Sequence, residues 1–283
     1  MSGLRTRELR TETLLSFFFA VLCILFLFPI YALALASFRP GRDLIRFGIT
    51  LKTLVPGNLS LAYLASLLSA RSGVYVTWFR NSIILVVAQT GLSLLFCSMV
   101  GYGLGIYEFR GKKLILSLML LVMMVPLQIL ILPLYRLLIF GHAMNTFHGI
   151  MLPFIVSPFA IFFFRQFVIG IPTDFVDAGR IDGLSEAGIY FRIMAPLMTP
   201  AFGAMGILTA LQSWNNFLWP LIVMRTQEMF TLPVGLAGLL TPYGNNYDML
   251  ISGSVMATVP IILAFFFFQR YFIAGLTAGG IKA

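Results

Sequence analysis

The sequence predicts an all-α integral membrane protein with six transmembrane helices and a cytoplasmic helix-corner-helix loop between spans four and five. Three observations carry this reading. The chain of 283 residues is 59% hydrophobic and 10% charged, well above the roughly 45–50% apolar share of soluble domains. Six of its runs are long and apolar enough to cross about 30 Å of hydrocarbon. The net charge of +9 is carried in the links between those runs, a pattern that membrane topology explains and a nucleic-acid surface does not.

The first run, Leu14–Ala36, follows Arg5, Arg7 and Arg10 and ends at Ala34-Leu35-Ala36, a small-residue pattern of the kind leader peptidases cut. Its apolar core is about 22 residues, longer than the 7–15 of a secretory leader, so it reads as an uncleaved anchor. The second run is Ser82–Tyr107 and the third Leu114–Leu137. The fourth, Phe147–Phe164, is interrupted by Pro153 and Pro158, which a lipid-embedded helix accepts when neighbours satisfy the freed carbonyls. Leu197–Val223 and Ile251–Phe272 complete the set, and none of the six carries Asp, Glu, Lys or Arg away from its ends. The chain thus reads as one transmembrane domain over 1–283, with an anchor at about 14–36 and a core at about 76–273.

Lys and Arg in the links set the orientation. With the N-terminus inside, the inner segments hold eleven, including Arg110, Lys112, Lys113, Arg165, Arg180, Arg192 and Arg270. The short outer links hold Arg136 and Arg225, and a long first loop holds six more. Long loops weigh little in this rule, so both termini are expected in the cytoplasm. The outer loops Phe38–Asn81 and Arg225–Leu250 are rich in Pro, Gly and Asn, a turn-forming composition. Cys23 and Cys97 lie inside apolar runs and read as packing residues, with no Cys/His spacing for a metal.

The segment between spans four and five breaks the apolar pattern. Pro172, Thr173 and Asp174 are helix-start signals, and Gly183 reads as a stop able to take positive φ. Phe175, Ala178 and Ile181 share one helical face. Ser185 is placed to cap a second short helix running toward Ile193, and Pro196 opens the fifth span. Asp182 stands at a helix C-terminus, where the dipole disfavours it, which suggests a role outside the helix. Ala178 and Gly179 would let a partner approach the backbone, and Asp177 offers that partner a carboxylate.

Asp177-Ala178-Gly179, three residues, Gly183, nine residues, then Ile193-Met194-Ala195-Pro196 resembles the cytoplasmic signature of permease subunits of binding-protein-dependent ABC importers. That signature runs Glu-Ala-Ala, three residues, Gly, nine residues, Ile-x-Leu-Pro. Asp177, Gly179 and Ala195 depart from it, and the shorter Asp177 is expected to shift any ion pair made there. Trp214-Asn215-Asn216-Phe217, Leu232-Pro233-Val234-Gly235-Leu236 and the ending Gln269-Arg270-Tyr271-Phe272 are similar to the sugar-importing, maltose-type branch. The resemblance implies a non-catalytic subunit of a bacterial or archaeal cytoplasmic membrane. It also implies a second permease subunit, two ATPase subunits that bind ATP and Mg, an extracytoplasmic solute-binding protein, and coupling through the loop.

The residues agree with an external energy source. No phosphate-binding loop is present, the nearest approach being Gly105…Gly111-Lys112-Lys113, with wrong spacing and no hydroxyl. The spans lack the carboxylates and histidines of a proton relay, which argues against an ion-coupled carrier, and lack a catalytic pair for an intramembrane enzyme. An importer of a non-sugar solute stays open as an alternative. Gln128, Gln212, Asn215 and Asn216 are candidates for the translocation pathway, with Trp214 and Trp219 available to stack on a sugar ring. Interhelical hydrogen bonding and interfacial anchoring are the competing roles for the same residues.

Overall fold

The structure is a computed structural model that describes residues 2–40, 60–69, 73–241 and 244–278. Most of the first outer loop and the end of the C-terminal tail lie outside the described residues. The elements in order are α1 (Ser2–Ala36), α2 (Ala62–Ser69), α3 (Val74–Ile106), α4 (Lys112–Met123), α5 (Leu127–Phe140), α6 (Phe147–Ile155), α7 (Pro158–Ile169), α8 (Asp174–Ile181) and α9 (Glu186–Ile189). A π turn (Tyr190–Met194) leads to α10 (Ala195–Leu197), α11 (Thr199–Trp214) and α12 (Leu218–Val223). After the 3-10 turn Gln227–Met229 come α13 (Leu232–Ala237), a minimal ladder of β1 (Leu240–Thr241) with β2 (Gly244–Asn245), and α14 (Tyr247–Ala278).

Among the described residues three stretches are long and apolar enough to cross a membrane, namely Glu12–Ala36, Val74–Ile106 and Tyr247–Gln269. Three further candidates are bent pairs rather than rods: α4 with α5 at 102°, α6 with α7 at 42°, and Glu186–Leu197 with α11 at 78°. Two of these bends have a local cause. Pro126 is extended, with φ −63 and ψ 134, and cannot continue α4. Ser157, the residue before Pro158, is extended as the proline ring demands, and its hydroxyl accepts from the Ala160 N–H at 3.4 Å. Pro153, by contrast, stays inside α6 without breaking it. The fifth run also ends sooner than its hydropathy suggests. Asn215 caps α11, its amide donating to the Leu211 carbonyl at 2.9 Å, and α12 starts afresh.

The chain forms two compact units. One contains Met1–Tyr75 and Gly238–Thr258. Within it the Tyr75 hydroxyl donates to the Gly253 carbonyl at 2.9 Å and the Ser252 hydroxyl to the Ser37 carbonyl at 3.4 Å. Almost all of the apolar surface of α1 faces outward, Phe17, Ile24 and Phe26 among it, as lipid contact would favour.

The other unit holds Val76–Ala237 and Val259–Ala283, and its described residues include two apolar clusters. At the N-terminal half of α3, Leu85 packs with Leu138, Ile150, Trp219, Val223 and Met224. At its C-terminal half, Cys97, Tyr102 and Leu104 pack with Phe164, Val168, Val176, Ile189, Tyr190 and Met198. Between them the Cys97 sulfur serves the α6–α7 break, accepting from the Ser157 N–H at 3.3 Å and lying 3.5 Å from the Ile155 carbonyl. The backbone groups freed by the bend are thereby paired.

Candidate functional site

The polar segment folds as helix, corner, helix. Asp174 and Asp177 supply the first-turn negative charges of α8, where the dipole favours them. The Thr173 hydroxyl makes no cap hydrogen bond, contrary to the sequence expectation, because Thr173 already has helical backbone angles. Asp182 is the C-cap, and Gly183 takes φ +76, closing the corner with its N–H on the Arg180 carbonyl at 3.0 Å. Ser185 caps α9, its hydroxyl accepting from the Gly188 N–H at 3.1 Å.

The two faces of α8 have different tasks. Val176 and Gly179 are buried, while Phe175 and Ile181 are 45% and 85% exposed. The shared face of Phe175, Ala178 and Ile181 therefore points away from the chain's own core. Gly179 has an internal purpose that differs from the expected partner contact. A Cβ there would stand 2.8 Å from Ile193 Cδ1 and 3.0 Å from Ile189 Cγ1, so the missing side chain lets α8 close onto α9 and the π turn. The π turn precedes Pro196, which has no N–H to continue an α-helical ladder, and the Ala195 N–H reaches back to Tyr190 instead.

Charges brace the corner. Arg180 Nε donates to Glu186 Oε1 at 2.9 Å and Nη1 to Asp177 Oδ1 at 3.2 Å. The Tyr107 hydroxyl donates to Glu186 Oε2, and the Tyr102 hydroxyl lies 3.5 Å from that of Tyr107. Among the described residues Asp174 and Asp182 make no ion pair. The Arg180 guanidinium, with the Tyr107 hydroxyl second, holds the Glu186 carboxyl below the usual carboxylate range. A carboxyl lowered on folding stabilises the corner above its unfolded value and loses that contribution as pH falls through the folded one. Amide exchange at Gly183 and Leu184, corrected for intrinsic rate, is expected to accelerate as pH falls below the ordinary carboxylate range. In Glu186→Gln that acid step is expected to vanish; an unchanged step would assign it to another group.

The pathway candidates fall in two places. Gln212, Trp214, Asn215 and Asn216 gather at the end of α11, Gln212 and Asn215 exposed and Trp214 buried edge-on against Phe79 at 5.6 Å. Gln128 is exposed in the first turn of α5, and no hydrogen bond or ring contact among the described residues joins it to that group. Trp219 is enclosed within the chain, 1% exposed, its indole N–H donating to the Gly149 carbonyl at 3.0 Å. A cavity of about 420 Å³ lies beside Trp214, lined by Ile83, Thr90, Gly206, Pro260 and Phe268 among others. Its lining is almost wholly apolar, and Thr90 Oγ1 has no hydrogen-bond partner. A polyhydroxylated solute seated there would leave its own hydroxyls unsatisfied.

Two sets of polar residues escaped the sequence reading. Gln89 is buried in α3 and accepts from the Ser213 hydroxyl at 3.2 Å, next to Trp214. An amide in the middle of an apolar run was the available signal. Tyr107, Ser98, Glu186 and Tyr190 left no such signal, because their pairings span 79 and 92 residues.

Residues 98–277 match the family described as the binding-protein-dependent transport system inner membrane component. The chain is 54% identical to the arabinooligosaccharides transport system permease protein AraQ of Bacillus subtilis, over 95% of both chains. It is 33% identical to the lactose transport system permease protein LacG of Rhizobium radiobacter, over 90% of this chain and 91% of that one. A chain of a bacterial ABC transporter involved in the import of the acidic polysaccharide alginate shares its fold, with a TM-score of 0.80, 20% identity, and coverage of 92% and 96%.

Proposed function

The chain belongs to the family of inner membrane components of binding-protein-dependent transport systems, and from that premise we propose that it is the permease subunit of an ATP-driven oligosaccharide importer. It crosses the cytoplasmic membrane six times, the bent pairs α4–α5 and α6–α7 each serving as one span and the fifth span beginning after α9, with both termini and the α8–α9 corner in the cytoplasm. The similarity to permeases named for arabinooligosaccharides and lactose supports a sugar cargo. The excess of Lys and Arg in the inner links supports the orientation.

A second permease subunit, two ATPase subunits carrying ATP and Mg, and an extracytoplasmic solute-binding protein complete the machine. The observation that carries the coupling role is the outward face of α8. Phe175, Ala178 and Ile181 stand exposed, beside a fixed glycine corner and the carboxylates of Asp174 and Asp182, which make no ion pair among the described residues. Apolar anchors rimmed by charge suit a groove on another protein. Closure of the ATPase pair moves that groove, and α8 and α9, locked together at Gly179 and Ile193, move as a body with Pro196 at their exit. The pathway then alternates between inward- and outward-facing forms. Gln212, Asn215 and Asn216 are the pathway groups we propose offer hydrogen bonds to a sugar.

Asp177→Cys carrying a short cross-linker is expected to capture an ATPase subunit in intact cells. Absence of any such product, or sugar uptake by vesicles containing this polypeptide alone, would overturn the proposal.

A further inference from the structure

We propose that α3 receives the movement of the coupling loop, through a hydrogen-bonded pin between Tyr190 and Ser98; this rests on the ATPase-docking reading above. The link is buried. Tyr190 is 4% exposed and Ser98 fully buried, and their hydroxyl oxygens are 2.6 Å apart, with either able to donate. The Ser98 hydroxyl also reaches the Leu94 and Leu95 carbonyls of its own helix at 2.5 and 3.0 Å, which holds it in place on α3. A buried hydroxyl that loses its partner keeps its full desolvation cost, so the pin resists opening.

A second fastening sits one residue past the end of α3, where the Tyr107 hydroxyl meets Glu186. The backbone positions of Ser98 and Tyr107 are nine residues apart, about 13 Å at the helical rise. One attachment alone would leave the loop free to pivot; two fix its angle to α3. The Tyr102 ring fills the space between them, 5.4 Å from Tyr190 and 5.7 Å from Tyr107. The Lys112 ammonium, donating to the Tyr107 carbonyl at 2.9 Å, holds the far end.

The route forward along the chain is softer. There the loop continues through the π turn and then a 78° bend at Met198, geometry with weaker helical hydrogen bonding. Movement of α8 and α9 thus passes sideways to α3 before it reaches α11. From Ser98, α3 runs back about 13 Å to Gln89, whose amide oxygen accepts from Ser213 beside Trp214. Tyr190 and Ser98 are positioning residues that connect the corner to the polar group at the end of α11.

The test uses the complete importer in proteoliposomes, with Tyr190→Phe, Ser98→Ala and the double variant. Three quantities are read: ATPase retained on purification, ATP hydrolysed, and sugar moved per ATP. Tyr190→Phe is expected to retain the ATPase and hydrolyse ATP while moving about fivefold less sugar per ATP, the scale of one net hydrogen bond. Ser98→Ala is expected to do the same, and the double variant to fall no further than either single one. A merely structural role would lower hydrolysis and transport together and leave their ratio fixed, which would overturn the pin. So would two single effects that multiply in the double variant. Loss of the ATPase from the unaltered importer would instead defeat the docking reading, and the pin with it.

Discussion

Replacing Gly183 with leucine is expected to cut ATP-driven sugar uptake roughly five- to thirtyfold while the chain remains in the membrane. The corner holds Gly183 at φ +76, and a Cβ built there would meet nothing within 4 Å. The cost is therefore conformational, not steric crowding by neighbours. Forcing an L-residue into the left-handed region costs about 1–2 kcal/mol, which is a factor of about 5–30 in the population of the native corner. Relaxing the strain would break the bonds from the Gly183 N–H to Arg180 and from the Leu184 N–H to Gly179. The exposed face of α8 would then lose its fixed angle to α9. The apolar spans, which drive insertion, are untouched. Asn enters this region more readily than other side chains, so Gly183→Asn is expected to lie near the unaltered chain. The readouts are uptake in proteoliposomes and solute-dependent stimulation of the ATPase. Normal transport by Gly183→Leu would remove the basis for treating the corner as a rigid lever.

The membrane character and the corner were legible because each depends on neighbours in sequence. Hydropathy marked the three long apolar helices, and Gly183 and Ser185 do what their residue types dictate: one takes positive φ, the other caps α9. Bends were partly legible. Pro153 and Pro158 stood together as interruptions of the fourth run, yet Pro153 does not break α6, and the 102° bend at Pro126 falls inside a third run that read as continuous. The Pro158 break is served by a neighbour far along the chain, Cys97, whose sulfur accepts from the Ser157 N–H. Burial of single residues was not legible for the same reason. Gly179 looked like an open approach for a partner, but it is packed against Ile189 and Ile193. Trp219 looked available to a sugar, but Gly149 holds its indole inside a core. Tertiary pairing decides such cases, and spacing carries no record of it.

The second large effect is expected at Gly235, inside a run that carries the family resemblance. Residues Gln227–Ala237 are strapped to the start of α3 by three side chains. Trp78 Nε1 donates to the Gln227 carbonyl at 2.9 Å, Asn81 Nδ2 to the Glu228 and Phe230 carbonyls at 2.7 and 3.0 Å, and the Ser82 hydroxyl accepts from the Leu232 N–H at 2.8 Å. The Trp78 ring lies directly on the Gly235 backbone. A Cβ at 235 would stand 2.1 Å from Trp78 Cδ2 and 2.2 Å from Cε3. Such an overlap cannot be absorbed by a small shift of a rigid ring that is 2% exposed and tied at its nitrogen. Gly235→Ala is therefore expected to destabilise the protein by about 3 kcal/mol, the upper range for overpacking, and to lower its thermal midpoint in detergent by several degrees. Trp78→Leu will itself destabilise by removing the ring and its hydrogen bond, but in that background Gly235→Ala should add little. The two residues share one contact, so their effects cannot be additive. If Gly235→Ala costs the same in both backgrounds, the ring is not what excludes a side chain at 235, and the strap is held by Asn81 and Ser82 alone.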